Sequence, residues 1–320
     1  MMETDNLRYT KLALSNGSGA IPALGFGTLI PDPITTKNAT KTALEAGFRA
    51  LDTAERYRTE KEVGEAMKEA FEAGKIKRED VFVATKLWNT NHRPERVKPA
   101  FEASLRKLGL QYLDLYLMHT PFAFQPGDNQ DPRDENGKTI YDHGVTLPET
   151  WGAMERLVDE GKCRAIGLSD VGLEHLAESH RFARIRPAVV QVEAHPYLPQ
   201  WELLQACREA GIVFLAFAVL GHSFEPKLLE DDVIKKVAAA AAKTTAQVCI
   251  AWALQRGTAI LTTSTNADHI RESLDVSPLP ETAMESINGI TTRYRFNQVV
   301  ETGVPGFIPR PADRKGTAAG

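Results

Sequence analysis

Short apolar, β-branched runs alternate with amphipathic segments along most of the chain. Each run ends in polar residues, and a segment with an apolar stripe at helical spacing follows. This alternation predicts βα units around a parallel sheet, and eight of them indicate an α/β protein of the (β/α)8 TIM barrel type. We expect the eight strands at Ala23–Gly27, Phe48–Asp52, Val81–Lys86, Leu113–His119, Cys163–Asp170, Ala188–Glu193, Ile212–Ala218 and Ala259–Ser264.

Several of the intervening helices carry start signals. Thr59–Glu62 has the form of a capping box, and Val63–Phe71 then repeats apolar residues on one helical face. Thr146–Glu149 has the same form ahead of another amphipathic segment. Pro94 and Pro199 stand where two more helices should begin, since proline is favoured in the first helical turn.

Three segments do not fit the repeat. Residues 8–22 predict a β-hairpin ahead of the barrel. Residues 121–145 form a long polar loop after the fourth strand, at the face where barrel enzymes place their sites, and we expect it to be functional. Residues 305–320 are rich in proline, glycine and alanine and are expected to be an irregular tail. No shift in composition marks a boundary, so we expect one domain over residues 1–320.

Composition excludes several classes of protein. Of 320 residues, 42% are hydrophobic and 25% charged, and the net charge of −4 comes without a basic run, which argues against nucleic-acid binding. Cys163, Cys207 and Cys249 are odd in number and form no C-x-x-C pair, so we expect free thiols and no cysteine zinc site. The N-terminus is polar and the longest apolar run is Ile212–Leu220, so we expect no signal peptide, no membrane span and a cytoplasmic protein.

Four polar residues stand at or just after strand ends in the first half of the chain: Asp52, Tyr57, Lys86 and His119. Each alone has an ordinary explanation, such as a helix cap or a solvated side chain. A barrel, however, brings successive strand ends around one mouth, so the four can converge although they are distant in sequence.

With this order of residues the chain resembles the aldo-keto reductase family. The matching stretches are Leu24–Thr28, Asp52–Tyr57, Ala84–Trp88, Leu113–His119, Ile166–Ser169 and Gln191–Leu198. They run in order through nearly the whole chain, from about residue 8 to about residue 310. The spacing of Asp52 and Tyr57 fits the family's D-x-A-x-x-Y form.

The resemblance implies reduction of an aldehyde or ketone to an alcohol by hydride transfer from a nicotinamide cofactor, with no metal. Tyr57 would act as general acid, and Lys86 would lower the pKa of its phenol. Asp52 would keep Lys86 charged and oriented, and His119 would hold the carbonyl oxygen.

The resemblance also implies which residues contact the cofactor. Thr28 and Leu29 would lie near the nicotinamide ribose, and Ser264–Asn266 would open the last helix and form an anion site for a 2′-phosphate. The full expected set is Thr28, Leu29, Asp52, Ser169, Asp170, Gln191, Phe217, Ala218, Leu220, Ser264, Thr265, Asn266, His269 and Glu272.

Three of these residues and the neighbouring Thr263 depart from the family pattern. Asp170 replaces an asparagine that holds the carboxamide, and Phe217 replaces a tyrosine that stacks on the ring. Thr263 and His269 replace a lysine and an arginine that clamp the 2′-phosphate. We expect NADPH as cofactor, while the missing cations leave NADH or dual use open.

The substrate pocket is expected to involve Leu29, Trp88, His119 and Phe122. Leu29 and Thr120 stand where many relatives carry tryptophan, which should widen the pocket. Phe122 and Phe124 on the long loop could replace those aromatics, although packing on the barrel rim explains Phe124 equally well.

Two other functions stay open on the sequence. A nicotinamide-binding regulatory or structural protein on the same fold would show little turnover, and a metal-dependent barrel hydrolase would need a His-x-His pair that the first strand lacks. Gly25–Ile30 is not a dinucleotide-binding fingerprint, because it lacks the third glycine. We expect a monomer that acts on a small carbonyl compound, whose identity the sequence does not reveal.

Overall fold

Two short strands precede a closed barrel. In the computed structural model, which describes residues 7–223 and 225–297, β1 (Lys11–Ala13) pairs antiparallel with β2 (Ala20–Pro22), as the sequence predicts. Eight parallel strands then form the barrel in chain order, and the last pairs with the first. They are β3 (Leu24–Gly27), β4 (Ala50–Asp52), β5 (Phe82–Leu87), β6 (Leu115–Met118), β7 (Ile166–Ser169), β8 (Val189–Glu193), β9 (Val213–Phe217) and β10 (Ala259–Thr262).

The predicted (β/α)8 TIM barrel is therefore confirmed, although several strands are shorter than expected. Leu113 and Cys163, for example, meet only as an isolated bridge outside β6 and β7. The surrounding helices are α1 (Pro33–Ala46), α2 (Glu60–Glu72), α3 (Pro94–Leu108), α4 (Leu147–Asp159), α5 (Leu173–Phe182), α6 (Trp201–Glu209), α7 (Asp232–Ala241), α8 (Thr245–Gln255), α9 (Ala267–Glu272) and α10 (Glu281–Asn288).

The two predicted capping boxes differ in outcome. At α4 the Glu149 carboxylate accepts hydrogen bonds from the backbone N–H and the hydroxyl of Thr146, at 2.8 and 2.7 Å. At α2 the predicted box is wrong, because the Thr59 side chain makes no cap bond and its ψ of 16° is far from the extended value of a cap residue. The helix forms nevertheless, since its apolar face packs on the barrel.

Ser264–Asn266 open a helix, as predicted, but it is not the last one. The Asn266 side chain caps α9, where its Oδ1 accepts from the backbone N–H groups of Asp268 and His269. α9 is only six residues long, and α10 follows it.

The barrel has an inner and an outer apolar layer. Leu115 and Leu117 of β6 belong to the cluster inside the barrel, while Tyr116 and Met118 belong to the larger cluster under the helices. This alternation follows from the two-residue period of a strand. A polar residue two or four positions after an inner apolar residue therefore also points into the barrel. Where the strands end, such residues form the candidate site.

The long loop after β6 folds back on itself. Phe124 bridges Tyr141 and Arg133 bridges Thr139 in antiparallel fashion. Among the described residues no single helix is both long and apolar enough to span a membrane, and α7 and α8 meet that test only jointly, across a 92° bend. The tail predicted at residues 305–320 lies outside the described residues.

Candidate active site

The four predicted polar residues meet at the carboxyl ends of the strands. Asp52 ends β4, Lys86 lies in β5, and His119 directly follows β6. Tyr57 ends a single 3-10 turn, Glu55–Tyr57, that follows β4. The parallel register puts Asp52 beside Ala84, two residues before Lys86, so both side chains share the inner phase of the barrel.

Lys86 is fully buried and uses all of its hydrogen-bond donors. Its ammonium donates to the Asp52 carboxylate at 2.5 Å, to the backbone carbonyl of Thr53 at 2.9 Å and to the Tyr57 hydroxyl at 3.3 Å. Gln191 donates to the other oxygen of Asp52 at 2.8 Å. A buried ion pair is stable only with such complete pairing, so this group of four side chains is rigid.

The charges follow from this geometry. Burial lowers the pKa of Lys86, but the opposing charges of Asp52 and of ionised Tyr57 outweigh it, and the net pKa lies above the usual value. Lys86 is therefore a permanent cation at neutral pH. Burial raises the pKa of Tyr57 and Lys86 lowers it, with a net pKa above the ordinary value of 10.0. The predicted fall in the pKa of Tyr57 is thus wrong, because burial outweighs the cation beside it.

His119 stands across from the phenol as a neutral imidazole. The ring centroids of Tyr57 and His119 are 5.8 Å apart, edge to face. Burial and the positive charges of Lys86 and Arg56 push the pKa of His119 well below its usual value. Its Nδ1 is buried without a hydrogen-bond partner in the described part of the chain. Nε2 is therefore the nitrogen that can form a hydrogen bond with a molecule in the cavity.

A cavity of about 430 Å³ opens beside these groups, a volume typical of ligand clefts. A wider polar cleft of about 760 Å³ lies under the long loop, but its lining includes none of Asp52, Tyr57, Lys86 and His119. Predicted site residues line much of the 430 Å³ cavity, namely Thr28, Leu29, Asp52, Tyr57, His119, Ser169, Asp170, Gln191, Phe217, Ala218 and Leu220.

One wall of the cavity is built for an amide-like group. Ser169 of β7 and Gln191 of β8 are register partners, and both are buried. Asp170 follows Ser169, and its backbone N–H donates to the Gln191 carbonyl at 2.9 Å. Hydroxyl, carboxyl and carboxamide groups thus lie side by side facing a small cavity.

Two more walls supply an apolar face and a turn. Phe217 ends β9 half-buried, and the backbone turns at Ala218, whose φ is 52° and whose carbonyl accepts from Gly221. After β3, the Thr28 hydroxyl donates to the backbone carbonyl of Asp52 at 2.9 Å, while Leu29 is 62% exposed.

The predicted anion-binding residues lie apart from this cavity. Ser264, Thr265, Asn266, His269 and Glu272 do not line it, and Glu272 accepts from the Thr244 hydroxyl at 2.5 Å. Thr263 does line it, and its hydroxyl donates to the Gly27 carbonyl at 3.0 Å.

Of the predicted substrate residues, Leu29 and His119 line the cavity, whereas Trp88 and Phe122 do not. Trp88 contacts the His119 ring, with centroids 5.1 Å apart, and its indole N–H donates to Gln130 of the long loop at 2.7 Å. Phe124 packs edge to face on Trp88. Phe122, by contrast, is buried against His175 and does not line the cavity.

Sequence reasoning missed several residues around the cavity. His222 and Asn297 both line it and are hydrogen-bonded to each other at 3.0 Å. The buried Glu193 carboxylate holds this segment in place, since it accepts from the backbone N–H groups of Phe296 and Asn297 and from His195. Glu193 is in the predicted β8 strand, but its role depends on a segment without periodicity. No group of three or more metal-ligating side chains occurs among residues 7–223 and 225–297.

Comparison with known proteins decides the family. The profile of the aldo/keto reductase family matches residues 23–292. The chain belongs to this family. It is 41% identical to aldo-keto reductase family 1 member A1 of Gallus gallus, over 94% of each chain. It is 39% identical to an uncharacterized oxidoreductase of Schizosaccharomyces pombe over 95% of each, and 40% identical to the prostaglandin-E(2) 9-reductase of Oryctolagus cuniculus over 90% of this chain and 94% of that one.

Membership of the aldo/keto reductase family supports an oxidoreductase that acts on carbonyl compounds, and the family generally uses NAD(P)H. The residues present fit a nicotinamide. Asp170 is a buried residue that lines the cavity, and its Oδ1 has no hydrogen-bond partner in the described part of the chain. Ser169 and Gln191 add polar groups suited to a carboxamide, and Phe217 adds a ring face.

Proposed function

We propose that the protein reduces aldehydes or ketones to alcohols with NADPH, and that Tyr57 is the proton donor. The observation that carries the proposal is the hydrogen bond from Lys86 to the Tyr57 hydroxyl at 3.3 Å. Since the phenol oxygen accepts from Lys86, its own proton is free to be donated into the cavity. A substrate oxygen next to His119 would receive it.

Each residue has a distinct task in this reaction. A dihydronicotinamide bound in the cavity would supply the hydride for the carbonyl carbon. Ser169 and Gln191 would hold the carboxamide, and Phe217 would cover one face of the ring. His119 donates a hydrogen bond to the carbonyl oxygen and fixes its direction. Tyr57 then donates its proton to the same oxygen as negative charge develops on it.

The raised pKa of Tyr57 is compatible with this role. Burial keeps the phenol protonated throughout the neutral range, so the acid is always available. The proton goes to an alkoxide-like oxygen, which is a much stronger base than a phenolate. Lys86 stabilises the phenolate that remains, at no cost in reorganisation, because its ammonium is already in contact.

NADPH is the proposed cofactor, with NADH or dual use as the variation to test. Thr263 and His269 replace the lysine and arginine of the family pattern, and His269 is exposed on α9. Thr263→Lys would add a cation beside the segment proposed to hold the 2′-phosphate. We expect it to increase the preference for NADPH over NADH by about fivefold at most, the effect of about 1 kcal/mol from one exposed ion pair.

The substrate is proposed to be a small carbonyl compound. Relatives named as reductases, one of them for prostaglandin E(2), support this chemical class without defining the molecule. Leu29 is exposed and Trp88 borders His119, so the entrance offers one aromatic wall and one open side. We further propose that the protein works in the cytoplasm as a monomer.

The test is turnover by the purified protein over a panel of aliphatic, aromatic and sugar aldehydes and ketones. Loss of the absorbance of NADPH or NADH would be followed in parallel reactions. We expect reduction of at least one class of aldehyde. Tight cofactor binding with no turnover on any member would contradict the enzyme and favour a nicotinamide-binding regulatory protein.

A further inference from the structure

A buried carboxyl group in the cavity lacks the partners that such groups normally have. Asp170 is only 6% exposed, and its Oδ1 has no hydrogen-bond partner in the described part of the chain. A buried polar group without a partner costs about 1–3 kcal/mol, and more when it is charged. Asp170 lines the 430 Å³ cavity, so a bound molecule can contact its carboxyl group there.

The backbone holds Asp170 in this position. Its φ of 51° is in the left-handed region, and its N–H donates to the Gln191 carbonyl at 2.9 Å. The neighbours Ser169 and Val171 are both buried at 2% exposure. The carboxyl therefore cannot be withdrawn to solvent by a small rearrangement of the loop.

The surroundings disfavour its ionised form. Burial raises the pKa of Asp170 to about 7, with Arg295 and Lys86 opposing the rise and Glu193 adding to it. Ionised Asp170 in turn raises the pKa of Tyr57. The other titratable groups that line the same cavity are Asp52, His119 and His222.

We propose that Asp170 is a proton-linked specificity residue of the cofactor cavity, which favours the reduced nicotinamide when neutral and the oxidised ring when ionised. The inference rests on the proposed function, because it assumes that the ligand of this wall is a nicotinamide. A neutral carboxyl can donate to the carbonyl oxygen of a carboxamide and also accept from its amino group. An ionised carboxyl can only accept, but it attracts the positive charge that the oxidised ring carries.

The sign of the pH dependence follows from this. The oxidised ring, as a cation, lowers the pKa of Asp170 in its complex, while the neutral reduced ring leaves it high. As the pH rises through the pKa, affinity for the reduced cofactor falls relative to affinity for the oxidised one. The equilibrium between the bound forms therefore shifts towards the oxidised cofactor in alkaline solution.

The experiment is a pair of binding titrations, with NADPH and with NADP⁺, from about pH 6 to about pH 8.5. The full chain is used without substrate, and binding is followed by quenching of tryptophan fluorescence. The quantity of interest is the ratio of the two dissociation constants, NADPH over NADP⁺. Titration of the 2′-phosphate occurs in both ligands and cancels in this ratio. We expect the ratio to rise about tenfold, which corresponds to one pKa unit between the two complexes.

Two variants and a control make the result specific. Asp170→Asn keeps the shape and tolerates the left-handed backbone, and Asp170→Gly removes the carboxyl at a conformation glycine readily adopts. We expect a ratio constant within about twofold for both. Asp142→Asn changes another buried carboxylate, paired with Arg93 outside the cavity, and should keep the pH dependence of the parent.

The outcomes separate the two proposals. If both cofactors bind and the parent ratio is flat, the role of Asp170 is wrong while the proposed function stands. A ratio that rises equally in the Asp170 variants would also overturn that role, because another group would then be responsible. If neither cofactor binds, the proposed function itself fails.

Discussion

Two buried aspartates face the same cavity in opposite surroundings. Asp52 at the end of β4 lies within 2.5 Å of the Lys86 ammonium and accepts a second bond from Gln191. Asp170 after β7 has an unpartnered Oδ1 and a pKa raised to about 7. The two residues are equally inaccessible, at 3% and 6% exposure, so burial alone does not explain the difference.

The difference lies in which strands adjoin each aspartate. Lys86 on β5 reaches Asp52 because the two strands are hydrogen-bonded neighbours in register. Next to Asp170, β8 presents Gln191, but the Gln191 amide donates to Asp52 instead. One side of the cavity is therefore complete without a ligand, as suits groups that handle a proton. The other side is incomplete, as suits a surface that selects a ligand.

The largest expected effect tests the Asp52 side of the cavity, whose hydrogen bonds are complete without a ligand. Tyr57→Phe removes the proposed proton donor while the ring still fills its place. We expect the rate of carbonyl reduction to fall about 10³- to 10⁴-fold, towards the upper end for loss of a general acid. Affinity for NADPH should change little, because the hydroxyl already accepts from Lys86. Steady-state rates and a fluorescence titration of the cofactor measure the two quantities.

The matched control for that variant is Tyr116→Phe. Tyr116 of β6 is fully buried, and its hydroxyl has no hydrogen-bond partner in the described part of the chain. Its removal should leave the rate within about twofold. If Tyr57→Phe kept more than a tenth of the parent rate, Tyr57 would not be the proton donor.

The second effect breaks the pairing of Asp52. Lys86→Met keeps the length of the side chain but leaves the Asp52 carboxylate without a cation. We expect the free energy of unfolding to fall by about 3–5 kcal/mol, as for other broken buried ion pairs. The double variant Asp52→Asn with Lys86→Met removes the stranded charge and should recover most of that loss. Denaturant unfolding measures both, and equal losses in the single and double variants would argue against the ion pair.

The contrast between the two aspartates could be predicted from sequence only in part. The βα repeat predicted the barrel, and the polar ends of its strands predicted where Asp52, Lys86 and Asp170 would lie. The net pKa of Tyr57 could not be predicted, because it depends on how far burial outweighs one contact with Lys86. The capping box at Thr59 failed because its ψ is 16°, and the backbone angle of one residue is not encoded in the motif.

The cavity wall from the end of the chain was also beyond sequence reasoning. His222 and Asn297 lie in segments without helical or strand periodicity, so no pattern brings them together. They meet because Glu193 binds the backbone of Phe296 and Asn297, a contact across about a hundred residues. A buried glutamate at the end of a strand is the one signal that could have suggested such an anchor.

The third effect tests the Asp170 side of the cavity through the free energy of unfolding. Because the pKa of Asp170 is raised from 3.8 to about 7, the folded protein holds a proton that the unfolded chain loses. This contribution to stability is complete below about pH 4 and is lost as the pH rises to about 7. Relative to the parent, Asp170→Asn should therefore gain about 4 kcal/mol in the free energy of unfolding between pH 4 and pH 8. Urea unfolding at both pH values measures the gain, and a difference independent of pH would contradict it.

The smallest effect concerns Gln191, which bonds Asp52 on one side of the cavity and lies next to Asp170 on the other. Gln191→Met keeps the volume but removes the hydrogen bond to Asp52, while Lys86 still neutralises that carboxylate. We expect unfolding to become easier by only about 1 kcal/mol, since the remaining pair satisfies most of the charge. The same change removes a proposed carboxamide contact, so affinity for NADPH should fall about tenfold. A loss of stability as large as that of Lys86→Met would mean that Asp52 depends on Gln191 as much as on Lys86. The group of side chains that satisfies Asp52 without a ligand would then include β8 as an equal contributor.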